Sequence, residues 1–215
     1  MSSRIIIVTG GTVGDWVSGY IQPGDLLVGA DRGALFLVRS GYRPALALGD
    51  FDSVTVEELD EIRQGSDVLI DCDPVLKDWT DTEMAFNWAL DRKPGGIVLL
   101  GALGSRFDHS LANVHLLRKA LQHGIPSLIA DRHNELRLLG PGQATALHKG
   151  KFANVSLLPL SAEVTGITLQ GFLYPLTEAT LSIGQSLGIS NVIVEESGHV
   201  SIRDGMLLVI QSKDE

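Results

Sequence analysis

The feature that most constrains this chain is an alternation that runs through residues 1–133. Short, almost uninterrupted apolar runs stand at Ile5–Val8, Leu26–Ala30, Ala45–Leu48, Val68–Ile70, Ile97–Leu100 and Ser127–Ala130. Runs this short, apolar at successive positions and bounded by Gly, Pro or Asp, read as strands buried on both faces. Segments with helical spacing lie between them. Ala34–Ser40 stops before Gly41, and Thr55–Arg63 carries acid near its start and Arg63 near its end, as the helix dipole favours. Thr82–Leu90 follows Asp81, read here as its N-cap. His109–His123 places Leu111, Val114, Leu117 and Leu121 at helical spacing, then meets Gly124 and Pro126. Alternating strand and helix requires a mostly parallel sheet covered by helices, a Rossmann-like α/β domain.

The pattern then changes. Leu136–Leu139, Ala144–His148, Asn154–Leu158, Ile167–Leu169, Ala179–Ile183, Val192–Val194, His199–Ile202 and Met206–Gln211 are closely spaced strand-like runs separated by Gly, Pro, Ser and Asn. Asp204-Gly205 predicts a hairpin between the last two. Residues 134–215 are therefore expected to form a small antiparallel β-sandwich or barrel. No Pro/Ser-rich stretch separates the halves, so tight packing is expected rather than a flexible linker.

Composition narrows the function. With 26 Asp+Glu against 17 Lys+Arg and a formal charge of −9, the chain is a poor candidate for nucleic acid polymers, which need many cations facing phosphates. Nucleotides remain open, because a bound metal can bridge carboxylates to phosphates. The lone Cys72 excludes an internal disulfide and is read as a passive buried thiol. The run after Arg4 is cut off by Thr9-Gly10-Gly11, too early for a signal-peptide core, and no stretch approaches the ~20 apolar residues of a membrane span. A soluble cytoplasmic protein is the expectation.

In parallel sheets ligands bind beyond the carboxyl ends of the strands. Asp31-Arg32-Gly33 follows the second run, and Gly49-Asp50-Phe51-Asp52-Ser53 follows the third. After the fourth come Asp71-Cys72-Asp73 and Lys77-Asp78-Trp79-Thr80-Asp81; after the fifth, Gly101-Ala102-Leu103-Gly104-Ser105-Arg106-Phe107-Asp108-His109. Four strand ends thus deliver aspartates to one sheet edge. Mg²⁺ takes one or two carboxylates together with water and substrate phosphates, so this acidic set with Lys77 and Arg106 nearby fits a metal–polyphosphate site. The chain has neither a G-x-x-x-x-G-K-[ST] run nor a G-x-G-x-x-G fingerprint. The six His lack zinc spacing, and neither Ser53 nor Ser105 has a recognisable base partner for nucleophilic chemistry. His109 suits a capping or a catalytic role equally. Trp16, Trp79 and Trp88 are expected to pack, with stacking on a ligand ring as the alternative for Trp79. In the second half, the small polar residues of Gly171–Leu176 and Ser186–Asn191 are read as turn residues, with binding of a neutral or cationic organic ligand as the alternative.

Taken in order, these motifs resemble the thiamine pyrophosphokinase (thiamine diphosphokinase) family. The resemblance lies in Gly29-Ala30-Asp31-Arg32-Gly33, Gly49-Asp50-Phe51-Asp52-Ser53, Lys77-Asp78-x-Thr80-Asp81, Gly101-x-x-Gly104-x-Arg106-x-Asp108-His109 with Asn113, Tyr174-Pro175-Leu176 and Gly188-Ile189-Ser190-Asn191. It implies an N-terminal α/β domain, a C-terminal β-sandwich, and a homodimer with sites near the subunit interface. It also implies Mg²⁺-dependent transfer of the pyrophosphoryl group of ATP to the hydroxyethyl oxygen of thiamine, giving thiamine diphosphate and AMP. By motif match, Asp50, Asp52, Asp81 and Asp108 would organise Mg²⁺ and the phosphates. Asp31, Lys77, Thr80, Ser105 and Arg106 would surround ATP, while Ser190 and Asn191 would lie in the thiamine pocket. Asp52, Asp81, Asp108 and Arg106 are the expected catalytic set, with Asp81 or Asp108 accepting the hydroxyl proton. Eukaryotic members place a tryptophan shortly after the Ser-Asn pair; Val192–Val200 contains none. The alternatives are pyrophosphoryl transfer to another hydroxymethyl heterocycle such as a pterin, a non-catalytic nucleotide or thiamine sensor, and a metal-dependent phosphohydrolase.

Overall fold

Strands β1 (Ile5–Val8) and β5 (Ile97–Leu100) are buried at every position. A strand with no exposed side must lie inside a sheet covered on both faces. In this computed structural model, which describes residues 3–72 and 78–214, β1 pairs in parallel with both β2 (Leu26–Ala30) and β5, aligning Ile5 with Leu26 and with Ile97. β3 (Leu46–Gly49) and β4 (Leu69–Asp71) extend the sheet beyond β2, and β6 (Ser127–Ala130) extends it beyond β5. The order is β4-β3-β2-β1-β5-β6, so the direction in which strands are added reverses at β1. All six strands fall within a residue or two of the runs expected from sequence.

Helices α1 (Arg32–Arg39), α2 (Val56–Gly65), α3 (Asp81–Asp91) and α4 (Phe107–Gln122) connect the strands, and a short 3₁₀ helix spans Asp15–Tyr20. Thr55 caps α2 in a reciprocal capping box with Glu58. α3 corrects the sequence reading. Its N-cap is Thr80, whose hydroxyl accepts from the Glu83 N–H at 3.2 Å, and Asp81 is the first helical residue. Thr wins because its oxygen, one residue earlier, reaches the third helical amide; Asp81 then sits where the dipole favours a carboxylate.

Two glycines allow α1 to lie close to the strand ends. A Cβ on Gly33 would stand 2.0 Å from the Val8 carbonyl oxygen, and one on Gly29 would stand 2.3 Å from Ala34 Cα. No side chain fits at either place, so the start of α1 is held against the ends of β1 and β2.

The chain divides into two compact units between Arg132 and His133. The second is a sandwich. β13 (Leu207–Ser212) lies antiparallel between β7 (Asn134–Leu139) and β9 (Asn154–Pro159). β11 (Leu176–Ser182), β10 (Glu163–Gln170), β12 (Ser197–Ser201) and β8 (Ala144–His148) form the other sheet in that order. Leu147, Val164, Ile167 and Val200 from one sheet and Val155, Leu157, Leu207 and Val209 from the other share one core. Asp204-Gly205 is not a hairpin between β12 and β13, because those strands belong to different sheets. The turn instead lies against β10, with the Thr165 N–H donating to the Asp204 carbonyl at 3.0 Å. A turn signal sets where the chain bends, whereas the sheet that each arm enters depends on which partners bury its side chains. Val192–Val194 is not a strand either: Asn191 bridges to Val155 and Ile193 to Phe172 only as isolated pairs.

Among the described residues no helix is long and apolar enough to cross a membrane. Gly33→Ala is expected to lower stability by about 1–3 kcal/mol, because the clash is with backbone; a shifted denaturation midpoint in urea checks this.

Candidate active site

Where strand order reverses, the loops leaving two neighbouring strands diverge and open a crevice at the carboxyl edge. Here that point lies between β1 and β5. A cleft of about 560 Å³ occupies it, lined by Thr9–Thr12 after β1, Ala30 at the end of β2 and Asp31 after it, Thr80–Thr82 at the start of α3, and residues between Gly101 and Asn113 after β5. Asp31, Thr80, Asp81, Ser105 and Arg106 are thereby brought together. Thr9-Gly10-Gly11-Thr12 was missed. The strand-end rule that selected the other loops applies equally to the first strand, and the paired glycines were the available signal.

Asp31 leaves β2 with a φ of 50°, uncommon for a residue with a side chain, and its N–H donates to the Leu48 carbonyl at 2.9 Å. Ser53 Oγ donates to Asp31 Oδ2 at 2.7 Å, and Arg32 Nη1 donates to the Ser53 carbonyl at 2.7 Å. Asp31 Oδ1 is buried without a hydrogen-bond partner among the described residues. Burial pushes the Asp31 carboxyl above its ordinary value; hydrogen bonds from Ser53 and the Arg32 backbone oppose the shift, and the charges of Asp81 and Asp52 add to it. Charges from the β3 loop and from the start of α3 therefore reach the carboxyl that follows β2.

Arg106 and Asp108 are paired. Nη2 reaches Oδ2 at 2.6 Å and Nε reaches Oδ1 at 3.3 Å. This pairing holds the Asp108 carboxyl below the ordinary carboxylate range and raises the Arg106 guanidinium. Both side chains are largely exposed, so the pair contributes little energy and can exchange partners. Asp50, Asp52 and Asp108 do not line the cleft. The Asp52 N–H points to Asp50 Oδ1 at 3.3 Å. Lys77 lies outside the described residues. Trp79 does not pack, being 54% exposed beside Thr80, and Cys72 is half-exposed rather than buried. Trp88 is covered by the Arg92 guanidinium at 3.4 Å.

Among the described residues no three His, Cys, Asp or Glu side chains converge as a ready metal cage. Mg²⁺ does not need one: it is commonly held by one or two carboxylates and completed by water and phosphate. The unpartnered Asp31 oxygen, in the field of Asp52 and Asp81, is the observation that fits such an ion.

The other two expected residues belong to the second unit. Asn191 is buried, and both ends of its amide are hydrogen-bonded. Nδ2 donates to the Tyr174 carbonyl at 2.7 Å, while Oδ1 accepts from the N–H groups of Tyr174 at 3.1 Å and Val192 at 2.8 Å. Ser190, at a φ of 59°, is exposed, and its N–H donates to Ser156 Oγ at 3.1 Å. Asn191 thus fixes the backbone at Tyr174 and leaves Ser190 and Tyr174 at the surface.

Asp31→Asn is expected to stabilise the chain at pH 7. The native carboxyl is raised above its unfolded value, so its ionisation costs stability as pH rises through the native pKa; below the unfolded pKa it is protonated in both states and the gain disappears. Thermal melts of both chains across pH check the sign. Asn191→Ala should cost about 1–3 kcal/mol, since it strands buried backbone groups; chemical denaturation measures it.

Comparison with known proteins adds a separate line of evidence. Residues 17–129 match the family model described as thiamin pyrophosphokinase, catalytic domain, and residues 145–207 match thiamin pyrophosphokinase, vitamin B1 binding domain. The chain is 34% identical over 198 residues to the thiamine pyrophosphokinase of Bacillus subtilis (strain 168), covering 92% of each protein. The crystal structure of thiamine pyrophosphokinase from Bacillus subtilis superposes with a TM-score of 0.90 at 32% identity, over 99% of this chain and 100% of that one. That of thiamin pyrophosphokinase from Geobacillus thermodenitrificans gives a TM-score of 0.88 at 37% identity, over 99% and 98%.

Proposed function

This chain belongs to the thiamine pyrophosphokinase family, and we propose that it transfers the pyrophosphoryl group of ATP to the hydroxyethyl oxygen of thiamine, releasing AMP. One observation carries the reading. The cleft at the strand-order reversal gathers Asp31, Thr80, Asp81, Ser105 and Arg106 from separate loops, inside the segment that matches the catalytic model. An acidic edge beside glycine-rich loops and an arginine is the donor set that a metal-bound polyphosphate requires.

The chemistry is in-line displacement. The thiamine hydroxyl oxygen forms a bond to Pβ while the bond from Pβ to the AMP oxygen breaks, and the hydroxyl proton passes to a carboxylate. Asp81 lines the cleft. Asp108 does not, so the proton is assigned to Asp81. Arg106 exchanges Asp108 for phosphate oxygens, which is inexpensive because that ion pair is exposed. Glycines at 10, 11, 101 and 104 let the backbone approach the phosphates. When bound, Mg²⁺ would be held by Asp31, whose buried oxygen lacks a partner among the described residues, together with carboxylates of the set Asp50, Asp52, Asp81 and Asp108, and would neutralise phosphate charge. Lys77 is assigned to the same phosphates, and Ser190 and Asn191 to the thiamine side. Positioning and charge neutralisation supply most of the acceleration. A homodimer with sites near the subunit interface and a cytoplasmic location complete the proposal. The acidic balance supports the absence of a nucleic acid polymer among its partners.

An AMP-release assay with and without thiamine tests it. The expected result is AMP formed in step with thiamine consumption and stopped by EDTA. ADP as product, AMP released without thiamine, or transfer only to a pterin alcohol would each overturn it. Asp81→Asn should lower kcat by about a hundredfold or more without loss of folding; steady-state kinetics together with a thermal melt check this.

A further inference from the structure

The loop that carries Ser105 and Arg106 into the cleft has no regular secondary structure from Ala102 to Ser105, yet side chains from the end of β1 and from α4 hold its backbone at Gly101, Ala102 and Gly104. Thr9 Oγ1, at the end of β1, donates to the Gly101 carbonyl at 2.6 Å. Asn113 Nδ2, from the second turn of α4, donates to the Ala102 carbonyl at 2.8 Å. Ser110 Oγ accepts from the Gly104 N–H at 3.1 Å. The same hydroxyl gives its one proton to the Arg106 carbonyl at 3.1 Å or the Gly104 carbonyl at 3.3 Å.

Two further features say that this is more than ordinary satisfaction of polar groups. Ser110 and Asn113 are three residues apart in a helix and so share one face. Both are weak helix formers, because their short polar side chains compete with the backbone, and here each bonds a loop carbonyl instead of lying in solvent. Farther along that face Val114, Leu117 and Ala120 enter the core, so the two polar residues occupy the end of the buried stripe nearest the loop. In addition, Gly101 has a φ of 72° and a Cβ on it would meet Thr9's carbonyl oxygen at 2.9 Å, while one on Gly11 would stand 2.0 Å from the Gly101 carbonyl oxygen. Loop and strand end are therefore in contact, with the Thr9 hydroxyl as the tie between them.

The structure assigns Thr9, Ser110 and Asn113 the role of positioning residues: a three-point clamp that holds Gly101–Arg106 so that Ser105 and Arg106 present themselves to the phosphates of a nucleoside triphosphate. They act through the loop and not on the reacting atoms. The assignment rests on the proposed function for the identity of the ligand, and its test separates the two.

The full-length chain is compared with Thr9→Val, Ser110→Ala and Asn113→Ala, and with Thr9→Ser and Ser110→Thr, which keep the hydroxyl. Calorimetric Kd for Mg-ATP is measured without thiamine, then KM for each substrate. Losing one tie is expected to weaken ATP binding and raise its KM by about tenfold, with thiamine KM unchanged, and the hydroxyl-retaining variants should recover most of the loss. Amide exchange at Gly104 should quicken in Ser110→Ala. Ser110 is only half-buried, so this variant carries the test if Thr9→Val does not fold. Unchanged ATP binding and KM, equal rises for both substrates accompanied by a lower melting temperature, or no recovery in Ser110→Thr would overturn the clamp. An unaltered chain that binds ATP but makes no AMP with thiamine would defeat the proposed function alone, leaving the clamp to be read in Kd. No ATP binding by the unaltered chain would overturn both.

Discussion

The burial of β1 between β2 and β5 is the constraint on which the first unit depends. A strand four residues long with no exposed position can exist only where parallel neighbours take all its backbone groups and helices cover both faces. Its central place makes the strand order reverse there, and the reversal opens the cleft. The same crowding explains the glycines. Gly33 and Gly29 let α1 start against the ends of β1 and β2, while Gly11 and Gly101 let the β1 and β5 loops touch.

A site assembled this way carries local penalties. Asp31 sits at a positive φ with an unpartnered, buried oxygen, and two further acidic residues raise its carboxyl. Each of these opposes folding, and a bound cation would relieve the last two. Arg106 and Asp108 show the complementary arrangement, two groups of opposite charge that satisfy one another at the surface until something else competes. The acidic balance of the chain is therefore not spread evenly in its consequences. Asp60, Asp67 and Asp108 lie exposed in surface ion pairs, whereas Asp31 is half-buried at the sheet edge, where the charges of Asp81 and Asp52 reach it.

Legibility differed from residue to residue. The strands of the first unit could be read because parallel strands buried on both faces are continuous apolar runs. Asp31, Asp81 and Arg106 could be located because each follows a strand end or opens the next helix. The Thr9–Thr12 segment went unread because its glycines were taken only as the end of a run. The roles of Thr9 and Ser110 were invisible, since nothing in their local sequence distinguishes a side chain that bonds a distant carbonyl from one that faces water. The hydrogen bonds from the Asn191 amide to the Tyr174 backbone were likewise unreadable, because the two residues are 17 apart in the chain. In the second unit, Asp204-Gly205 signalled a bend correctly but not its partners.

Sequence alone determined the order and kind of the elements, the change from α/β to all-β, and which loops carry acid, because periodicity and turn chemistry are local properties. Tertiary structure decided which loops share a cleft, which aspartate is desolvated, which arginine is already paired and which polar side chains act as ties. Those outcomes depend on pairing between strands far apart in the chain. Burial, electrostatic coupling and hydrogen-bond partners follow from distances through space that no local pattern encodes.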